Sequence, residues 1–200
     1  MFLEYPEFLS EQECDDISEL ITDREPWVLK NIPTTPQTLY KGLTSKYYDF
    51  NWLPWVVDAG IDIRNRLFNI DILRQHETLW IQCWCNVLRQ GQGLQMHHHA
   101  TDRDNNPFYV GHIFIDGNTE TGTYYNELNR TVPSEKGALH IIGAEDNHKV
   151  VLNQYEEPRI SMALDIWHIN PTEFFGDDKA MVNGYVISQN CIVFSTGVIF

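Results

Sequence analysis

The sequence predicts a mostly β fold with helices at its N-terminal end, and its hydrophobic patterns carry this prediction. Helical periodicity dominates the chain before residue 75, whereas apolar and polar residues alternate from Leu79 onward. Later strand candidates are short and are separated by turns rich in Gly, Asn and Asp. This spacing is typical of an antiparallel sandwich or jelly roll. We expect a single domain over 1–200, with a helical part over about 1–75 and a jelly-roll core over about 76–200.

The first helix has a clear start signal. Residues 1–9 precede it as a short strand segment, and Ser10 and Glu13 have the spacing of a capping box. We therefore expect a helix from Ser10 to about Thr22, with its apolar stripe on the core. The proline-interrupted stretch that follows contains a candidate strand at Trp27–Asn31.

A second helix is expected between Asn51 and Phe68, because a broad apolar stripe there suits packing on a sheet. Residues 41–50, just before it, are a candidate lip of a pocket. The strands predicted after it are Leu79–Val87, Leu94–His99, Tyr109–Ile115, Thr123–Tyr125, Ala138–Ile142, His148–Leu152, Ile160–His168, Tyr185–Ser188 and Cys191–Phe200.

Composition narrows the class of protein. The formal net charge is −14, which argues against nonspecific nucleic-acid binding because phosphates attract positive surface. The first residues have neither a basic segment nor a long apolar run, so we expect no signal peptide and no membrane span. Cys83 and Cys85 are two apart on one strand, a poor geometry for a disulfide. Reduced, buried thiols in a cytoplasmic protein are the expectation.

A histidine cluster is the main functional signal. On an extended strand His97 and His99 project to one face, and His98 projects to the other. His148, from a distant strand, would add a third imidazole and complete a facial metal site of the kind that suits non-haem iron. Arg159, on the strand after His148, would return beside the metal with its planar fork available for a carboxylate.

These residues occur in a wider pattern that resembles the Fe(II)/2-oxoglutarate-dependent oxygenase superfamily. The resemblance is to its prolyl-hydroxylase-like branch in particular, and to small oxygenases of cyanophages. It extends over most of residues 8–165. The matching segments are Phe8–Asp16, Trp84–Val87, Gly91, His97–His99, Tyr109–His112, Thr123–Tyr125, Gly137–Leu139, His148 and Arg159–Ser161.

The resemblance implies a double-stranded β-helix, which is a cupin-like jelly roll, with Fe(II) held by His97 and His148. In the family a carboxylate usually stands two residues after the first histidine, and this chain has His99 there. Because the phage-like branch commonly has His-x-His at this point, we expect His99 to complete an all-histidine triad. Asp102 or Asp104, from the loop that follows, is the alternative third ligand.

The resemblance also implies the co-substrates 2-oxoglutarate and O2. Arg159 would pair with the distal carboxylate of 2-oxoglutarate and Ser161 would donate a hydrogen bond to it. Asn86, Tyr109 and Tyr125 are further candidates to reach the co-substrate. The implied activity is hydroxylation of an unidentified peptide or small molecule, such as a prolyl or other protein side chain, with release of succinate and CO2. The expected location is the cytoplasm, that of a host cell if the protein is phage-encoded.

Two other interpretations stay open at the level of sequence. Gly91, His97, His99, Asp104 and Gly111 approximate a cupin motif, which would bind metal without 2-oxoglutarate. A non-catalytic jelly-roll module, such as a phage structural component, is the second. The orientation of Arg159 distinguishes the cupin from the oxygenase. An arginine that faces the metal favours the oxygenase, and one that faces solvent favours the cupin.

One further histidine is predicted to have no role in the metal site. His112 has the opposite strand parity from Tyr109, so we expect it in packing or at the surface.

Overall fold

Strands dominate the part of the chain that the computed structural model describes, which comprises residues 1–31, 52–61, 63–76, 78–100 and 108–167 and three short later strands. Helices are α1 Glu11–Asn31, α2 Leu53–Asp58, α3 Ile63–Phe68 and α4 Asp71–Arg74. Strands are β1 Phe2–Tyr5, β2 Thr78–Leu88, β3 Leu94–His97, β4 Tyr109–Asp116, β5 Thr123–Tyr125, β6 Arg130–Val132, β7 Leu139–Gly143, β8 His148–Val150, β9 Arg159–Trp167, β10 Met181–Val182, β11 Tyr185–Val186 and β12 Ile192–Ser195.

The described strands form two main antiparallel sheets. A six-stranded sheet has the order β1-β7-β4-β9-β2-β12, and a four-stranded sheet has the order β3-β8-β5-β6. Strands β10 and β11 pair with each other. The mostly β class predicted from the alternating pattern is therefore confirmed.

The inner faces of the two sheets meet in small apolar clusters. One cluster joins Val110 and Ile142 of the six-stranded sheet to Tyr125 and Val132 of the four-stranded sheet. A second cluster contains Leu88, Leu94 and Val150. Between these clusters the facing sheets leave room for polar side chains.

Helix α1 covers the outer face of the six-stranded sheet, where Cys14, Ile17 and Ile21 are buried. The capping box at its start is confirmed: the Glu13 amide donates to Ser10 Oγ at 3.3 Å, and the Ser10 amide donates to Glu13 Oε2 at 2.8 Å.

The predicted end of this helix and the strand at Trp27–Asn31 are both wrong, because α1 continues to Asn31 through Pro26. Val28 explains the continuation. It lies about two turns after Ile21 on the same apolar face and is fully buried. This packing outweighs the helix-breaking tendency of the proline.

The second predicted helix is split in two. Gly60 lies between α2 and α3 with φ +86°, a left-handed conformation that ends a helix and that glycine adopts at little cost. The predicted core face is retained, because Leu53, Ile63 and Leu67 are all buried. The candidate lip at residues 41–50 lies outside the described residues.

Three of the four cysteines lie in the described part of the chain. Cys14, Cys83 and Cys85 are buried thiols without a disulfide, and Cys191 lies outside the described residues. Burial raises the pKa of the Cys14 thiol to about 11. Within the described ranges, no helix combines the length and the apolar character that a membrane crossing requires.

Gly137 provides a direct test of how the N-terminal segment docks. Its φ is +81°, and a methyl group on its Cα would overlap the carbonyl oxygen of Leu9, whose amide donates to Gly137 O at 2.9 Å. Gly91 has a similar φ of +78° with open space around it. Gly137→Ala should therefore lower the free energy of unfolding by about 3 kcal/mol or more, and Gly91→Ala by only about 1 kcal/mol. Urea unfolding of both variants measures the difference, and equal losses would contradict the proposed steric role.

Candidate metal centre and its cavity

Three imidazoles converge between the sheets. His97, at the end of β3, lies opposite His148, at the start of β8. His99 follows β3, where its amide donates to the carbonyl oxygen of Ala144 at 2.9 Å. The ligand atoms of these three histidines all lie within 4.8 Å of one another, a separation at which they could hold one metal ion. His98 is exposed on the opposite side, as strand alternation predicts.

Backbone carbonyls orient two of the three rings. His97 Nδ1 lies 2.7 Å from Gln95 O, and His148 Nδ1 lies 3.1 Å from Asp146 O. A carbonyl only accepts, so Nδ1 carries the proton in each ring and donates it. Each ring is therefore in the tautomer that presents Nε2 as its metal-binding atom.

His99 is oriented by a carboxylate. Its Nδ1 lies 2.6 Å from Asp165 Oδ1, and both side chains are buried. His99 Nε2 is buried and has no hydrogen-bond partner. A buried lone pair without a partner is costly, and a metal ion would satisfy it. The carboxylate–histidine pair is the arrangement that commonly supports a metal-binding imidazole.

Burial keeps the rings of His97 and His148 neutral, which is the state that binds metal. The pKa of His97 is lowered to about 4, first by burial and then by the proximity of His99. Burial, followed by the proximity of His97, holds the pKa of His148 well below its usual value. No imidazolium has to lose a proton before a metal binds these two rings at neutral pH.

Arg159 is buried at the same site, with 3% of its surface exposed. Its guanidinium donates to Ser161 Oγ at 2.8 Å, to Thr121 O at 2.9 Å, to Thr123 Oγ1 at 3.1 Å and to Ser134 Oγ at 3.3 Å. Within the described ranges no carboxylate lies within ion-pair distance of it. Burial lowers the pKa of Arg159 to about 10, so the group is still a cation at neutral pH. A buried cation paired only with neutral oxygens is suited to an anionic ligand.

One cavity contains both groups. Its walls include the histidine triad, Arg159 and Ser161, with Trp84, Asn86, His112 and Thr123. Asn86 lies opposite Ser161 in the β2–β9 pairing, and its Oδ1 is buried without a hydrogen-bond partner. Asn86 is therefore available to a ligand in this cavity. Leu94, Val150 and Ala163 supply the apolar part of the cavity wall.

The two predicted tyrosines are placed differently. Tyr109 packs against the cluster beneath the helices, on the opposite face of β4 from the cavity, so the structure does not bring it to the site. Tyr125 is buried one step behind the cavity wall, where its hydroxyl lies 3.2 Å from His112 Nδ1 and 3.0 Å from His140 Nδ1.

Two site residues escaped prediction. His112 was expected in packing or at the surface, but it lines the cavity, with its ring centroid 4.6 Å from that of His148. The parity that separates His112 from Tyr109 is correct, but the helices cover the Tyr109 face of β4, so the His112 face is the one that meets the cavity. Asp165 has the same parity as Arg159 and Ser161, so alternation along β9 would have indicated it. Asp102 and Asp104 lie outside the described residues.

The fold of this chain is similar to that of several solved structures, although its sequence matches no known family. No protein-family model and no curated protein matches the sequence. Among solved structures, the chain is similar to a viral collagen prolyl hydroxylase of Paramecium bursaria Chlorella virus-1 bound to 2-oxoglutarate, with 14% identity and a TM-score of 0.56 over 82% of this chain and 94% of that one. The chain has the fold of this enzyme. The predicted jelly roll is thereby confirmed.

Two more structures agree with this assignment of the fold. A Pseudomonas putida prolyl-4-hydroxylase has 12% identity and a TM-score of 0.53 over 84% of this chain and 93% of its own. HygX of Streptomyces hygroscopicus, with nickel and 2-oxoglutarate bound, has 12% identity and a TM-score of 0.56 over 92% and 90%. The superfamily resemblance found in the sequence therefore extends to the three-dimensional fold.

Asp165 gives a test of the metal centre. Asp165→Asn keeps the size of the side chain but removes the charge that orients His99, so metal affinity should fall about tenfold to hundredfold. Competition with a chelating dye measures the affinity for Fe(II) or Co(II). Asp23→Asn, which removes an exposed carboxylate from α1, is the matched control and should bind metal as the parent does. Unchanged affinity in Asp165→Asn would show that the pair does not support a metal ligand.

Proposed function

We propose that this protein is an Fe(II)- and 2-oxoglutarate-dependent dioxygenase that hydroxylates its substrate. The observation that carries the proposal is the buried guanidinium of Arg159, which has no carboxylate partner among the described residues and shares a cavity with three converging histidines. A metal site alone would not require a buried cation. A ligand that chelates the metal at one end and carries an anion at the other requires both.

2-Oxoglutarate has this chemistry. Its keto acid end chelates a divalent ion, and its distal carboxylate matches the planar fork of Arg159. Ser161, 2.8 Å from the guanidinium, would donate its hydroxyl hydrogen to the same carboxylate. Two of the similar structures hold 2-oxoglutarate, which supports the assignment.

The metal would be held by His97, His99 and His148 through their Nε2 atoms. This all-histidine set brings no negative charge, so the charge of a divalent ion would be offset by the dianionic co-substrate. Asp165, which is hydrogen-bonded to His99, would contribute a further negative charge outside the ligand set. When bound, Fe(II) and 2-oxoglutarate supply the oxidation chemistry, in which O2 is consumed and succinate and CO2 are released.

The protein's own residues position the reactants and exclude water. The bonds of Arg159 to Thr121, Thr123 and Ser134 fix the direction of its fork before any ligand arrives. A preorganised cation loses little conformational freedom on binding, which favours affinity. The apolar wall around the triad limits water, which strengthens every electrostatic contact within.

The cupin alternative receives less support. Its prediction is an arginine directed to solvent, whereas Arg159 is buried in the cavity of the triad. Asp104, its fourth ligand, is outside the described residues.

For the substrate we propose a prolyl or other protein side chain. The support is likeness of fold to two prolyl hydroxylases, one viral and one bacterial. A small molecule is the alternative substrate class, and mass spectrometry of candidate peptides after incubation with Fe(II), 2-oxoglutarate and O2 separates the two.

The Arg159 assignment gives a quantitative test. Arg159→Met should raise the Kd of 2-oxoglutarate about tenfold to hundredfold, the range expected when a charge-assisted hydrogen-bond pair is lost. Calorimetric titration of the nickel-loaded protein measures this Kd. Metal affinity should stay within about threefold of the parent value, because Arg159 does not contact the triad.

Arg130→Met serves as the control, because Arg130 is an exposed cation on β6. It should change neither Kd. The division of roles would be overturned if Arg159→Met weakened metal and co-substrate binding equally, or weakened neither.

A further inference from the structure

A line of hydrogen bonds leads from the cavity to the surface. His112 Nδ1 lies 3.2 Å from Tyr125 Oη, and Tyr125 Oη lies 3.0 Å from His140 Nδ1. His140 Nε2 lies 3.3 Å from Glu4 Oε1, and the Glu4 side chain is 40% exposed. We call these four side chains the relay. None of them has a role in the function proposed above.

The cavity end of the relay is His112. This ring lines the same cavity as the triad and Arg159, and it also lines a smaller cavity that Arg159 and His140 border. Its Nδ1 is engaged by Tyr125, and within the described ranges its Nε2 has no hydrogen-bond partner. A ligand that extends from the triad to Arg159 therefore passes this ring.

The relay can hold its protons in two arrangements, because Tyr125 has one hydroxyl hydrogen and two imidazole neighbours. With His140 neutral, the ionised Glu4 accepts from His140 Nε2–H, so His140 Nδ1 is an acceptor. Tyr125 then donates to His140 and accepts from His112 Nδ1–H. His112 Nε2 is left as an acceptor that faces the cavity.

Burial favours this arrangement in the free protein. It lowers the pKa of His140, outweighing the attraction of Glu4. The other groups that act on His140 are Arg159, which disfavours its cationic form, and Glu135, which favours it. The ring of Phe2 packs beside it with centroids 5.2 Å apart.

2-Oxoglutarate cannot form a hydrogen bond with His112 Nε2 while that atom is an acceptor. As a dianion it has only acceptor oxygens, so the lone pair of His112 Nε2 opposes it. If the relay reverses, His112 Nε2–H becomes a donor to the ligand, Tyr125 donates to His112 Nδ1, and His140 Nδ1–H donates to Tyr125. This arrangement holds one more proton, and its positive charge lies on His140 beside Glu4.

We propose that His112 is a co-substrate-binding residue and that 2-oxoglutarate binding reverses the relay, with uptake of one proton from solvent. This inference rests on the proposed function and deepens it. The proton enters at His112 Nε2 from the cavity. His112 passes its Nδ1 proton to Tyr125, and Tyr125 passes its own to His140. His112 is neutral before and after, and His140 becomes the cation of an ion pair with Glu4.

The sign of the pH dependence follows. Because the bound state holds an extra proton, the affinity for 2-oxoglutarate falls as pH rises, by up to about tenfold per pH unit. The fall begins above the lowered pKa of His140 in the free protein and ends above its raised pKa in the complex.

The test is calorimetric titration of 2-oxoglutarate into the nickel-loaded protein, in two buffers of different ionisation enthalpy near pH 7. The difference in apparent enthalpy counts the protons taken up. The parent should take up about one proton per 2-oxoglutarate. Tyr125→Phe keeps the ring that packs on Phe2 but cuts the relay, so its uptake should be close to zero.

Two further variants separate the relay from general charge effects. Glu4→Gln removes the surface carboxylate that stabilises the His140 cation, so uptake should fall well below the parent value. Glu11→Gln, which removes an exposed carboxylate at the start of α1, should keep the parent value.

The outcomes are distinct. Uptake that is present in the parent and in Glu11→Gln, and lost in Tyr125→Phe, supports the proposal. Tight binding without uptake, or equal uptake in the parent and Tyr125→Phe, overturns the relay but not the oxygenase function. No binding of 2-oxoglutarate at all overturns the proposed function and the relay together.

Discussion

The buried guanidinium of Arg159 is the constraint around which the site is arranged. Removing a cation from water costs several kcal/mol unless partners compensate it. Here the compensation comes from neutral oxygens of Thr121, Thr123, Ser134 and Ser161, which hold the fork in place without cancelling its charge. The cavity beyond the fork is therefore bordered by an unneutralised cation, and it leads to the three histidines, of which His97 and His148 are kept neutral at physiological pH by burial. Such a cavity favours a small dianion over any neutral metabolite.

Strand β9 supplies both ends of this arrangement. Because side chains alternate, Arg159, Ser161 and Asp165 share the inner face of one strand. In the proposed site Arg159 and Ser161 would bind the distal carboxylate of the co-substrate, and Asp165, hydrogen-bonded to His99, would support the metal. Long antiparallel pairings with β2 and β4 on either side hold β9 in the middle of the sheet. The distance between the two ends is thereby built into a rigid element rather than a loop, as a preorganised site requires.

Features of the site that depend on strand alternation alone could be predicted from the sequence. Alternation places His97 and His99 on one face of their segment, and Arg159 and Ser161 on one face of β9. Features that depend on which elements pack together could not be predicted in this way. The second helix splits at Gly60, and α1 continues through Pro26 because Val28 finds a place in the core. Parity correctly separated His112 from Tyr109, but only the covering of one sheet face by the helices determines which of them meets the cavity.

The central claim is that one cavity holds a metal at the histidines and a chelating dianion that reaches Arg159. Anaerobic titration of the Fe(II)-loaded protein with 2-oxoglutarate tests it most directly, because chelation by the keto acid produces a weak visible charge-transfer band. We predict a band that saturates at one 2-oxoglutarate per iron. Bound iron with no band at any concentration of 2-oxoglutarate would contradict the account.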